Sequence, residues 1–110
     1  MTHHPVEGTR LMNTMMLHAT VKPEYVTDVE SAAQEMFAAI DAAAPDGVRY
    51  ASCRSSDGVS FVVLLALDEG IENPLPAIAE FRDFQANLGQ WLAAPPVPDQ
   101  MTVVGSYRLF

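Results

Sequence analysis

Cysteine occurs once in this sequence, at Cys53, which excludes an internal disulfide and any zinc or iron–sulfur site built from several thiolates. Cys53 lies in an alternating run without an electropositive setting, so a buried, inert thiol is expected there. Positive charge is scarce too: 6 Lys and Arg stand against 14 Asp and Glu, a net charge of −8. Phosphate binding rests on Lys and Arg, so no nucleic-acid partner is expected, and an anionic membrane surface would repel the chain. No apolar run approaches the roughly 20 residues of a membrane helix. Met1 to Gly8 lack the charged-then-apolar layout of a signal peptide, which makes a cytoplasmic protein the expectation. Also missing are a glycine-rich phosphate loop, a Gly-x-Ser-x-Gly elbow and a His-Glu-x-x-His pair. Flavin, nicotinamide and nucleotide sites therefore have no support. Neither a cofactor nor a metal is expected.

What the chain does have is apolar material. Hydrophobic residues make up 49% of its 110 residues and charged ones 18%, the composition of one packed domain. Residues 1–10 carry Pro5 and Gly8 without periodicity and read as a flexible leader; residues 11–110 form the single domain. From Leu11 to Val21, both alternating faces are mostly apolar or small, as in a central strand covered on both sides. Lys22-Pro23-Glu24 opens a helix whose apolar positions, Val26, Val29, Ala33, Met36, Phe37 and Ile40, recur every three or four residues until Pro45 and Gly47 end it. The run after Gly47 and the run Val59 to Leu67 read as strands, joined through Ser55-Ser56-Asp57-Gly58 as an antiparallel hairpin. Asn73-Pro74 caps a second helix carrying Leu75, Ile78, Phe81, Phe84, Leu88, Trp91 and Leu92. Pro95-Pro96-Val97-Pro98 then forms a stiff connector, and Met101 to Phe110 alternates as a closing strand.

The order strand–helix–strand–strand–helix–strand predicts an α+β, ferredoxin-like βαββαβ fold: a four-stranded antiparallel sheet with two helices on one face. The other face is not polar. Its candidates are Met12, Met16, Val62, Leu64, Ala66 and Val104, more apolar surface than a soluble monomer usually exposes. Sheet against sheet across a twofold axis is the simplest closure, so a homodimer is expected.

With this element order, the apolar open sheet face, the Asn73-Pro74 helix start and the terminal Gly105-Ser106-Tyr107-Arg108-Leu109-Phe110 segment, residues 11–110 resemble the dimeric α+β barrel superfamily. The likeness is to its small antibiotic-biosynthesis-monooxygenase-like members in particular. The resemblance implies a fold far more strongly than a reaction, since the superfamily spans cofactor-independent quinone-forming monooxygenases, haem-degrading enzymes, dehydratases, isomerases and stress-response barrels. In the monooxygenase-like branch it implies a cavity between sheet and helices, an asparagine on the first strand, matched by Asn13, and a tryptophan beside the pocket. Trp91 matches that tryptophan loosely, because it lies on the second helix and not on the third strand. The haem-degrading relatives use a histidine on the second helix. His3, His4 and His18 all precede the first helix here, which argues against that activity.

The catalytic candidates are Asn13, His18 and Tyr107; the substrate-binding candidates are Trp91, Phe61, Phe81 and Arg108. An amide on an apolar strand face costs about 1–3 kcal/mol unless hydrogen-bonded. Asn13 therefore either orients a phenolic or enolic oxygen or bonds a neighbouring backbone group. His18 is either a general base or a hydrogen-bonded residue of a dimer interface. Phe81, Phe84 and Trp91 form a stripe that suits core packing and would also receive a flat aromatic ligand. Tyr50 and Tyr107 are pocket donors or ordinary strand residues, and Arg108 holds an anionic group or pairs between chains. Asp28, Glu30, Glu35 and Asp41 read as a solvated helix face.

Two functions fit. One is a cofactor-independent, monooxygenase-like enzyme acting on a small aromatic or polyketide-like compound, with Asn13 on the substrate oxygen, Trp91 shaping the pocket and His18 or Tyr107 moving a proton. The other is a non-catalytic dimer that binds a small molecule or serves as a regulatory or interaction module, which the shortage of ionisable groups on the strand faces favours.

Overall fold

The computed structural model describes residues 12–109; the leader expected over 1–10, Leu11 and Phe110 lie outside the described residues. Strand β1 is Met12–Thr20. A 3-10 turn at Pro23–Tyr25 follows it, where the fixed φ of proline suits a helical start, and leads into helix α1, Val26–Ala43. Helix α1 buries Val29 and Met36 and places Glu24 and Asp28 near its positive end. It stops at Ala44, which turns left-handed (φ 47°, ψ 54°) and donates its N–H to the Ile40 carbonyl at 2.8 Å.

Strands β2, Val48–Arg54, and β3, Ser60–Asp68, form the expected hairpin. Its turn is built by Asp57, whose carboxylate accepts hydrogen bonds from the backbone N–H groups of Val59 (2.9 Å) and Ser60 (2.8 Å) and from the Ser60 hydroxyl. These donors lower the Asp57 pKa, the Ser60 hydroxyl contributing most. Gly47 precedes β2 at φ +77°, and a Cβ there would meet the Ile71 Cγ1 at 3.0 Å, so the position favours glycine twice over.

The second helical region departs from the expected single helix. Pro74 and not Asn73 takes the cap position, and the Asn73 side chain, one residue earlier, accepts from the Leu75 N–H at 3.0 Å. The first segment, however, is a 3-10 turn at Leu75–Ala77 containing Pro76. The chain is then extended at Ile78 (φ −92°, ψ 122°) before helix α2, Ala79–Trp91. Pro76 has no N–H to give, and the 3-10 bonds from Ala77 to Pro74 and from Ile78 to Leu75 take the carbonyls that would have started a longer α-helix.

The closing strand is displaced. Strand β4 is Val97–Met101, and the alternating residues from Thr102 to Leu109 are not in a strand. Pro98 sits opposite Leu17 on β4, an edge of the sheet. An edge position tolerates a proline because its missing donor would have faced away from the neighbouring strand. The sheet is antiparallel in the order β2-β3-β1-β4.

Strand register fixes the phase of the faces. Ser52, Arg54 and Phe61 meet α1, and Arg54, Phe61 and Ala19 are successive cross-strand partners. The helix-side face therefore carries Val48, Tyr50, Ser52 and Arg54 on β2, Phe61, Val63, Leu65 and Leu67 on β3, and Asn13, Met15, Leu17 and Ala19 on β1. Its core is the cluster Val21, Val29, Phe61 and Leu92, flanked by Phe84, Leu88 and Trp91 of α2, with Met36 and Leu75 fully buried beside it. A bridge between Val21 and Leu92 ties the end of α2 to β1, through Lys22 N–H to the Trp91 carbonyl and Ala93 N–H to the Thr20 carbonyl, each 2.8 Å.

The outer face carries Met16, Val62, Leu64 and Ala66, as expected, together with His18, Ala51 and Cys53. Strand β1 is central in the sheet, but its outer face is covered only in part: Thr14 and Ala66 are buried, Met16 is half-buried and His18 exposed. Cys53 is exposed, contrary to the expectation of a buried thiol, because β2 is an edge strand and Cys53 lies on its outer face, away from the helices.

Candidate functional site

The residues singled out in the sequence fall in three places. Asn13 begins the helix-side face of β1 and is exposed; its Oδ1 accepts a hydrogen bond from the Gln100 Nε2, which also donates to the Thr14 carbonyl at 3.1 Å. The partner that satisfies the Asn13 amide is thus a β4 side chain, not a neighbouring backbone group. Trp91 packs against the core at the opposite end of β1, where Val21 meets Leu92. At about 3.3 Å per residue, the eight steps from Asn13 to Val21 span about 26 Å. Asn13 and Trp91 therefore do not share a pocket within one chain. His18 lies between Val62 and Val97 on the outer face, so β1 itself separates it from the helices. Tyr107, 80% exposed, follows β4, and the Arg108 guanidinium stands 5.1 Å from its ring centroid.

Phe61 and Phe81 lie between sheet and helices. The Phe81 ring meets Tyr50 edge-on at 6.1 Å, and Tyr50 is stacked on Phe37 at 5.1 Å and 29°. Burial pushes the Tyr50 phenol up to about 12. Trp91 and Phe84 make a second edge-on pair at 6.2 Å behind Phe61.

Phe61 opens onto a cleft of about 330 Å³ between α1 and the hairpin. Glu30, Ala33, Gln34 and Phe37 form its α1 wall, Ser52 and Arg54 its β2 wall, and Phe61 its floor. The α1 residues share one side because they recur at three- and four-residue spacing; Ser52 and Arg54 share one side because strand positions alternate. At the mouth the Arg54 Nε meets the Glu30 carboxylate at 3.1 Å. Phe37 also borders a second recess of about 230 Å³, lined by Ile40, Asp41, Ala44, Pro45, Val48 and Tyr50. The stacked Phe37–Tyr50 pair stands between the two, so a continuous aromatic edge runs along this side of the sheet.

Sequence reasoning missed Glu30, Gln34, Ser52 and Arg54. One signal was available: in the predicted hairpin, Ser52 and Arg54 fall on the same face as Val48 and Tyr50, two polar residues on an otherwise apolar face. Among the described residues, no group of three or more His, Cys, Asp or Glu could hold a metal, and no helix is long and apolar enough to cross a membrane.

The sheet order and the two helices on one face define a ferredoxin-like α+β domain. More particularly, it is the fold found in solved structures of proteins provisionally named antibiotic biosynthesis monooxygenases. A Caulobacter crescentus protein provisionally named an antibiotic biosynthesis monooxygenase superposes with TM-score 0.69 at 20% identity, over 94% of this chain and 99% of its own. One of the same name from Nitrosomonas europaea gives 0.68 at 15%, over 94% and 96%. A third, from Bacteroides thetaiotaomicron, gives 0.74 at 12%, over 88% and 93%. At these identities the likeness is one of fold. No protein-family model matches the chain, and no curated protein sequence does.

Proposed function

We propose that the protein is a homodimer that takes a small, flat aromatic molecule into the cleft between α1 and the β2–β3 hairpin and oxidises it in the manner of a cofactor-independent monooxygenase. The observation that carries the reading is the cleft: about 330 Å³, with Phe37 and Phe61 as apolar surfaces and Glu30, Gln34, Ser52 and Arg54 as polar groups around them. Concave, mostly apolar sites of about 300 Å³ or more with a few convergent polar groups are the usual setting for small-molecule binding. The fold likeness to proteins provisionally named as monooxygenases supports the oxidative half.

The reaction that suits such a site converts a ring CH2 beside a phenol into a carbonyl. One atom of molecular oxygen stays on that carbon; the other leaves as water with its two hydrogens, so no external reductant is consumed. Glu30 is the carboxylate in the cleft and takes the role of first proton acceptor. Asn13, His18 and Tyr107, the catalytic candidates of the sequence, stand apart from this cleft in one chain. In the dimer, the Met16–Leu64 face closes against its copy and places His18 at the interface.

Titration calorimetry with 2-naphthamide tests binding, and oxygen-electrode assays with 1,8-dihydroxyanthrone test oxidation. The reading requires saturable binding that Phe61→Ala weakens, and oxygen uptake above the protein-free rate that Glu30→Gln abolishes. Absence of binding refutes it. Binding without uptake leaves a non-catalytic small-molecule dimer, a reading favoured by one observation: the cleft's two charged groups, Glu30 and Arg54, are already paired with each other.

A further inference from the structure

We infer that the cleft selects aromatic molecules carrying an acidic group, with Arg54 as the residue that reads the charge and Glu30 as the internal counter-ion that the ligand must displace. The inference rests on the cleft being a binding site and names the class of ligand it takes.

Arg54 is the cation of this cleft in a chain of net charge −8, whose overall field repels anions. Arg49, on the outer face of the same strand, is held by Asp68 at 2.9 Å and plays no part in the cleft. The contact of Arg54 with Glu30 runs through Nε at 3.1 Å. A guanidinium carries five donors in a planar fork, so its terminal nitrogens can take a ligand carboxylate in a two-point contact as the single Nε contact with Glu30 is given up. Ser52 lies two residues back on the same strand face and adds a hydroxyl; Gln34 lies one helical turn beyond Glu30 and adds an amide. Rings resting on Phe37 and Phe61 would place an acidic substituent at this cluster.

Glu30 sets selectivity as well as geometry. It holds Arg54 at the mouth of the cleft and opposes any incoming anion, so only a ligand that both fills the aromatic wall and replaces the Glu30–Arg54 contact gains from the exchange. A neutral aromatic leaves the pair intact and gains from ring burial alone. Hydrogen bonds to charged groups are stronger than neutral ones, so an acid is expected to bind at least about tenfold tighter than its neutral isostere.

The test is calorimetric titration of 2-naphthoate and 2-naphthamide, equal in shape and different in charge. The wild type should prefer 2-naphthoate by about tenfold or more. Arg54→Gln should bring the affinities for 2-naphthoate and 2-naphthamide to equality, with an unchanged circular dichroism spectrum reporting that the domain is still folded. Glu30→Gln should tighten 2-naphthoate several-fold and so widen the preference for it over 2-naphthamide. Equal affinities in the wild type, a preference for the amide, or a preference that survives Arg54→Gln overturns the inference while leaving the aromatic cleft standing. Weaker 2-naphthoate binding in Glu30→Gln overturns the counter-ion role. If neither compound binds, the proposed function itself fails.

Discussion

Raising the pH should destabilise this protein through Tyr50. Its phenol is buried between Phe37, stacked at 5.1 Å, and Phe81, edge-on at 6.1 Å, and burial raises its pKa from 10.0 to about 12. The folded state keeps the proton where the unfolded chain releases it, so the contribution of Tyr50 is complete below pH 10 and is lost as pH rises toward 12. Each unit of difference is worth about 1.4 kcal/mol, which gives about 3 kcal/mol in all and about 1 kcal/mol between pH 9 and pH 11. Urea unfolding followed by the fluorescence of the single tryptophan measures it. Tyr50→Phe keeps both ring contacts and removes the titrating group, so the stability difference between wild type and variant should change by about 1 kcal/mol over that interval, to the disadvantage of the wild type. In ultraviolet titration of the folded protein, one of the three tyrosines should ionise near 12, and Tyr50→Phe should remove that component. Parallel stability curves for the two proteins would refute a buried phenol at this position.

Three further outcomes are expected. The Asp57 pKa is lowered by its three donors, so its contribution is present above the ordinary carboxylate range and lost as pH falls through the lowered value; Asp57→Asn should flatten acid unfolding, checked by urea melts from pH 6 to pH 2. Met36 is 1% exposed on the buried side of α1, and Met36→Ala should cost about 2–5 kcal/mol in the same assay. Leu64→Lys, on the outer face opposite Met16, should convert a dimer to a folded monomer in sedimentation velocity; a wild type that sediments as a monomer at micromolar concentration would contradict the homodimer.

Much of the fold was legible because local and tertiary preferences agree. The three- and four-residue spacing from Val26 to Ile40, with proline near each end, set α1 close to its observed limits. The Asp57-Gly58 pair set the hairpin. Strand β4 was misread because prolines look like stops, and only the sheet order shows that Val97 and Pro98 fall on an edge where one is admissible. Residues 103–109 alternate as a strand would, yet in the register that sets Thr14 opposite Met101 they run past Met12, the first described residue of β1.

The site was harder to see for the same reason. Asn13 stood out as a polar residue on an apolar face, but its partner, Gln100, is brought to it by the register of β4. Glu30 looked like one of several acids on a solvated helix face, and only the packing of α1 over the end of the hairpin brings it to Arg54. Phe61 was recognised by type; its setting at the floor of the cleft needed the tertiary structure.

The central claim is that the cleft between α1 and the hairpin is the ligand site. Amide chemical-shift mapping of the isotope-labelled protein during titration with 2-naphthoate tests it most directly. The account predicts saturable shifts concentrated at residues 30–37, 52–54 and 61. Shifts confined to the outer face around Met16, His18 and Val62, or no shifts at millimolar ligand, would contradict it.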